Sequence, residues 1–296
     1  MENRNFIYNE PDFKRQLEEL HLMSIRLLQG RLGSNKLTNK YGASMDFIDY
    51  RKYTQGDDFR NIDWNIYRRL GDIAIKLFHS VEDYAVHIIV DASESMTFYE
   101  KSKQIQAFKF LLGFSYITLN SRQKLRVYFA ENKTLNQAGS LFSDKNEIRK
   151  IDDITGKKKF GGFTDWLSVT DKFISSVNKK GFVIILSDFL GECDWKSVAS
   201  KFAYKGHELL AVHILSEFEL KPLLTGDYLL IDSETDKEID LTIDHYYLQS
   251  YSRSIENYLD FIRKTFVERG FGYIFSDDKM NFVQTLVNYF KPKKRY

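Results

Sequence analysis

The apolar positions of this chain follow two rhythms that alternate along its length. Phe13, Leu17, Leu20, Met23, Leu27 and Leu28 recur near helical spacing, which predicts an amphipathic helix over residues 11–30. Residues 31–80 change character. They are rich in Gly, Asn, Ser and Asp and read as loops and short strands, with a turn at Gln55-Gly56-Asp57-Asp58 and a strand at 73–78. From residue 84 the pattern becomes regular: strands at 84–91, 125–131, 182–188 and 208–215, with helices at about 101–120, 144–154, 165–177 and 194–204 between them. Strands alternating with helices predict parallel βαβ units, and hence an α/β fold with a doubly wound, mostly parallel sheet. Residues 228–243 read instead as a hairpin with a polar turn around Ser233–Lys237. A long helix at 245–269 stopped by Gly270, a strand at 273–277 and a helix at 279–290 complete the reading.

Two of the apolar runs end on an aspartate. AVHIIV (85–90) leads into Asp91 in the run DASES, and FVIILS (182–187) leads into Asp188. In an open parallel sheet, ligands collect beyond the carboxyl ends of the strands, where strand order reverses. Alternate residues of a turn point the same way, so Asp91, Ser93 and Ser95 can converge on one ion. Thr164 in GGFTD and Asp188 add two more oxygens, Asp188 through a bridging water. An all-oxygen set suits a hard divalent cation, Mg²⁺ first, with Mn²⁺ or Ca²⁺ as alternatives. Hydroxyl ligands leave the ion enough positive charge to attract a carboxylate from a partner. The competing reading of DASES is a set of helix caps, a frequent role for Ser and Asp.

Composition narrows the classes. The chain has 296 residues, 43% hydrophobic and 15% aromatic, enough for a sizeable core, and a net charge of +2 gives no global pull toward nucleic acid or membrane. The basic runs KKK (157–159) and KPKKRY at the end are short and read as solvated, so no nucleic-acid partner is expected. The one cysteine, Cys193, reads as an ordinary residue of a short helix. The first sixteen residues carry no apolar signal segment, and no window approaches the about 18 apolar residues of a membrane span. The expectation is a cytoplasmic protein with no membrane span. The alternative function is a Mg²⁺-dependent phosphoryl-transfer enzyme or hydrolase using Asp91 and Asp188. Against it, Asp91 has no second acid two residues on, and neither a phosphate-binding Gly-x-x-x-x-Gly-Lys loop nor a Gly-x-Ser-x-Gly elbow occurs. His87 and His213 lie inside apolar runs and read as core, and His21 has no ligand partner at a helical offset.

DASESM, GGFTD and SDF together resemble the three-part metal-ion-dependent adhesion motif of von Willebrand factor A-type domains. Upstream, YGASMDFIDYRKYTQGDDFRNIDWNIYRRLGDIAIKLF resembles the hallmark of the Domain of Unknown Function 58 family, R-x-Y-x-x-G-D-D-x-R-x-I-D-W. It falls on Arg51, Tyr53, Gly56, Asp57, Asp58, Arg60, Ile62, Asp63 and Trp64. Asp46 stands where that family often has Glu, and Ile66-Tyr67 where small residues are common. The hallmark block reads either as a polar docking surface or as a turn with Trp64 in a core, and the structural role is favoured. The resemblance implies a von Willebrand factor A-like domain over 81–296 with the hairpin as an insertion. An N-terminal helix (1–30) and a small β-rich segment (31–80) precede it. It also implies a non-enzymatic, metal-dependent protein-interaction module acting with a MoxR-type AAA+ ATPase in chaperone-like assembly or maturation of a client protein complex.

Overall fold

Four apolar runs of the chain lie side by side as parallel strands, buried from both sides. The computed structural model describes residues 7–27, 47–52, 66, 68, 73–78, 85–98, 100–231 and 238–290. The hallmark residues from Tyr53 to Trp64, the turn at 55–58, the hairpin turn at 233–237 and the basic run at 291–296 lie outside them. Arg51 lies on a described strand.

The central sheet has six strands in the order β10-β7-β6-β3-β4-β5. These are β3 (Ala85–Asp91), β4 (Lys124–Glu131), β5 (Thr134–Gln137), β6 (Phe182–Ser187), β7 (Glu208–Leu215) and β10 (Gly272–Asp277). All neighbours run parallel except β5, which turns back antiparallel on β4. That edge strand, TLNQ, is short and polar and carries no apolar period to announce it. The doubly wound, mostly parallel sheet expected of a von Willebrand factor A-like chain is therefore present. The chain passes from β3 outward to β4 and β5, then returns to place β6 on the other side of β3. The switch point lies between β3 and β6.

Alternation along β3 divides the core in two. Ile88 and Val90 face one side, with α1 (Pro11–Leu27), α2 (Ser102–Asn120), α3 (Ile148–Lys157) and α8 (Phe282–Phe290). Ile89 faces the other, with α4 (Trp166–Ser176), α5 (Trp195–Lys205) and α7 (His245–Val267). Strands buried on both faces read as continuous apolar runs, as these do. The N-terminal helix belongs to the first layer: Leu17 and Leu20 are buried, and Phe13 stacks on Phe282 at 5.2 Å. α1 is described as far as Leu27.

Two small ladders lie outside the central sheet. β1 (Phe47–Lys52) pairs antiparallel with β2 (Ala74–Phe78), and β8 (Gly226–Ile231) with β9 (Glu238–Ile243), the hairpin read from the sequence. A one-turn helix, α6 (Glu217–Leu220), follows β7 and was not legible in the pattern. Its capping box on Ser216 and Glu219 is complete, each end of the motif satisfying the other's backbone N–H.

Candidate cation site at the switch point of the sheet

Asp91 ends β3 beside Ser187, the last residue of β6, because the final paired position of those strands is Val90 with Leu186. Asp91 is 2% exposed. Its carboxylate accepts from Ser187 Oγ at 2.6 Å, from Thr164 Oγ1 at 2.7 Å and from the Ser93 backbone N–H at 3.1 Å. Ser93 Oγ lies 3.0 Å from Ser95 Oγ, and the Ser95 hydroxyl reaches Asp188. The five residues singled out from the sequence thus share one hydrogen-bonded network.

The serines of DASES are not helix caps. Ser93 precedes the short 3₁₀ turn Glu94–Thr97 without a side-chain capping bond, and α2 begins only after Lys101. It is Asp165 of GGFTD that caps, accepting from Ser168 N at 3.1 Å and Ser168 Oγ at 2.9 Å. Thr164 is thereby free to serve Asp91.

The GGFTD loop is stitched to both neighbouring strand ends. Gly161 N donates to Ala92 O (2.9 Å) and Glu94 N to Gly162 O (2.8 Å) on one side. On the other, Asn132 N donates to Phe163 O (2.5 Å) and Asp165 N to Asn132 O (2.7 Å). Gly162 has φ +68°, and a Cβ there would sit 2.7 Å from Asn132 Oδ1. That left-handed conformation is what glycine accepts at little cost.

After Asp188 the backbone turns through Phe189, a non-glycine residue with φ +55°. Phe189 is fully buried against Trp195 at 4.8 Å and His213 at 5.2 Å, and its carbonyl accepts from Tyr258 Oη. Packing holds the turn, and the turn aims Asp188 at the site. Asp188 also receives a cation of the chain's own. Lys103 Nζ, on α2, lies 2.8 Å from Asp188 Oδ2 and 2.5 Å from Glu219 Oε1, and the lysine side chain is fully buried.

Lys103, Glu219 and Ser187 were not identified from the sequence. Lys103 had a signal: it falls on the stripe of Ala107, Phe110, Leu111 and Phe114, all of which point into the core. A lysine on an apolar stripe needs a partner. Nothing in the local pattern names that partner, which lies 85 residues away.

Burial and the neighbouring Asp188 charge raise the Asp91 carboxyl above its ordinary value, against the opposing hydrogen bonds of Ser187, Thr164 and Ser93. Burial also pushes Asp188 up, but the Lys103 charge and hydrogen bond outweigh it and hold Asp188 low. The Lys103 ammonium, penalised by burial, is held above its ordinary value by Asp188 and Glu219.

The other residues weighed as chemistry sit elsewhere. His87 and His213 are buried on β3 and β7 and, chiefly through burial, pushed down to about 4, so both are neutral at pH 7. Cys193 is not in a helix but precedes the Asp194 cap of α5, and burial pushes its thiol up to about 12. Two lysines of the 157–159 run are spent in ion pairs, Lys157 with Asp153 and Lys158 with Glu131. Among the described residues no group of three or more His, Cys, Asp and Glu could hold a metal ion. The set at the switch point is instead two carboxylates and three hydroxyls, a donor chemistry that fits Mg²⁺ or Mn²⁺ rather than zinc. No described helix is long and apolar enough to cross a membrane.

These features define an α/β domain with an oxygen-lined site at the switch point of its sheet. Residues 49–258 match the family described as "Protein of unknown function DUF58", and the chain belongs to that family. An uncharacterized protein of Mycobacterium bovis is 22% identical over 250 residues, covering 83% of this chain and 78% of the relative. Among solved structures, the conserved hypothetical protein BatB from Bacteroides thetaiotaomicron is similar with a TM-score of 0.40 at 13% identity, over 70% of this chain and 96% of that one. The SpRpn10 VWA domain is similar with a TM-score of 0.37 at 11% identity, over 69% and 94%.

Proposed function

We propose that this chain is a cation-dependent protein-docking module. Asp91, Ser93, Ser95 and Thr164 hold a divalent cation, Mg²⁺ or Mn²⁺ before Ca²⁺, with Asp188 contributing through water. When bound, the cation supplies an open coordination position for a partner's Asp or Glu. The chain's own residues fix the donor set, exclude solvent from Asp91 and keep Asp188 ionised. One observation carries the reading: Asp91 is a buried carboxylate beside a second one, and among the described residues it pairs with hydroxyls and an N–H but with no basic side chain. A buried charge without a counter-charge is costly, and a cation supplied from solution removes that cost.

The rim favours a protein ligand. Each loop that carries a site residue also exposes a large apolar side chain: Phe98 beyond DASES, Phe163 within GGFTD and Leu190 after Asp188, at 43%, 42% and 37% exposure. A carboxylate flanked by apolar residues matches that surface, since interfaces combine a desolvated apolar centre with few specific polar contacts. The partner implied by the family resemblance is a MoxR-type AAA+ ATPase acting on a client complex.

The test is capture of cytosolic partners by wild type and Asp91→Ala, each in Mg²⁺ and in EDTA, read by mass spectrometry. Partners held only by wild type with Mg²⁺, such an ATPase or its client among them, support the reading. The same partners in all four conditions remove the cation from the docking mechanism.

A further inference from the structure

The site contains a positive charge that its proposed chemistry does not need. Lys103 is one of the largest fully buried side chains of the protein, and its ammonium bridges Asp188 Oδ2 and Glu219 Oε1. Glu219 is itself held in place: its Oε2 accepts from Ser216 N at 2.8 Å and Ser216 Oγ at 2.9 Å, while its carbonyl accepts from Tyr251 Oη at 2.6 Å. Asp188 has its other oxygen on Leu190 N–H at 3.2 Å. The lysine is thus locked from three elements, α2, the β6 end and α6. A buried lysine fixed in this way is a resident counter-ion at a place where a second cation is expected.

Lys103 has two consequences for that second cation. It neutralises the carboxylate nearest to it, so that Asp188 is already satisfied before any ion arrives. It also adds a like charge close to where the ion must sit. Counting Asp91, Asp188 and Glu219 against Lys103, the cluster carries a formal charge of −2. One divalent cation brings it to zero. Without the lysine it would be −3, and the ion would be held more strongly.

We propose that Lys103 is a positioning residue that weakens and gates divalent-cation binding at the switch point, keeping Asp188 out of direct ligation so that the ion rests on Asp91 and the hydroxyls. The inference rests on the cation reading given above. A weakly held ion with an open position is one that a partner's carboxylate can complete, so docking and cation binding reinforce each other.

The test measures Mn²⁺ alone, by titration calorimetry and by the free-Mn²⁺ EPR signal, on the full chain. Lys103→Met is expected to bind Mn²⁺ about tenfold or more tightly than wild type, because a like charge has been removed from a site of low dielectric. Damage to the fold by itself would weaken binding, so a gain separates this role from a structural one. Glu219→Gln acts in the opposite direction: Lys103 then serves Asp188 alone, the cluster loses a negative charge, and Mn²⁺ binding weakens. This variant keeps the lysine paired and covers the case in which Lys103→Met does not fold, provided its circular dichroism spectrum and urea midpoint match wild type, so that the weakening is not fold damage. Equal or weaker Mn²⁺ binding by folded Lys103→Met overturns the proposal, and so does unchanged or tighter binding by Glu219→Gln. Wild type that binds while either variant behaves in this way leaves the docking reading standing and the counter-ion role refuted. Absence of binding in wild type and Lys103→Met alike refutes both.

Discussion

Asp91 and Asp188 stand at the ends of adjacent parallel strands, both buried to within 2% exposure, yet they are treated in opposite ways. At the β3 end the carboxylate meets two hydroxyls and one N–H. At the β6 end it meets an ammonium fixed by α2 and α6. Burial raises the Asp91 carboxyl, whereas Lys103 overcomes burial and holds Asp188 low. The lesson is that burial alone does not make a cation site. Of two neighbouring strand ends, only the Asp188 end has a counter-charge from the chain itself, which leaves the Asp91 end as the one proposed to take an ion.

The sharpest way to break this comparison is to remove the charge from each aspartate in turn. In metal-free buffer, Asp188→Asn leaves Lys103 with only Glu219 and is expected to destabilise the protein by about 3 kcal/mol in urea unfolding. Asp91→Asn keeps an oxygen acceptor for Thr164 and the Ser93 N–H, turns an amide N–H donor toward Ser187 Oγ and removes a charge beside Asp188, so it is expected to be neutral or to stabilise by about 1 kcal/mol. Equal losses for the two variants would show that the ends are alike. Mn²⁺ at a hundredfold excess over its dissociation constant should then stabilise wild type by about 2.7 kcal/mol, read as a rise in Tm, and leave Asp91→Asn unchanged.

The two ends also predict opposite pH trends, best read as variant minus wild type. The Asp91 carboxyl titrates above its unfolded value of 3.8, so its ionised form costs stability at neutral pH and the cost fades as the folded protein takes up a proton. The advantage of Asp91→Asn should therefore shrink as pH falls from 7 toward 4. Asp188 is held low, so its contribution is present above 3.8 and is lost only as pH falls below that value, through its folded pKa. The deficit of Asp188→Asn should persist from pH 7 down to about 4. Parallel slopes in urea midpoints would contradict the assignment.

Smaller effects refine the β3 end. Thr164→Val removes the hydroxyl 2.7 Å from Asp91 and should cost about 1 kcal/mol of metal-free stability while weakening Mn²⁺ binding several-fold. Gly162→Ala places a side chain at φ +68° and should cost about 1 kcal/mol, with weaker Mn²⁺ binding as Thr164 shifts. A Gly162→Ala protein with wild-type Mn²⁺ affinity would show that the loop does not position the threonine.

Much of this arrangement was legible in the chain. Doubly buried strands leave unbroken apolar runs, so β3 and β6 and the aspartates that end them could be located without coordinates. Short pieces could not: β5 offers one apolar residue, Leu135, and the single turn of α6 two, Phe218 and Leu220, too few to set a period, and only their neighbours make them regular. Cys193 lies just outside the helix that its surroundings predict, because a helix boundary depends on which acidic residue caps, here Asp194.

The sequence by itself determined the periods of burial, and with them the parallel sheet, its two layers of helices and the five oxygen-bearing residues that gather at its carboxyl edge. These follow from local regularities, since a strand buried on both faces and a helix buried on one impose different spacings. Which of two aspartates would have a cation of its own was decided only by the tertiary structure. Lys103 meets Asp188 and Glu219 across 85 and 116 residues of chain, and a Coulomb interaction depends on separation in space, to which spacing along the sequence gives no access.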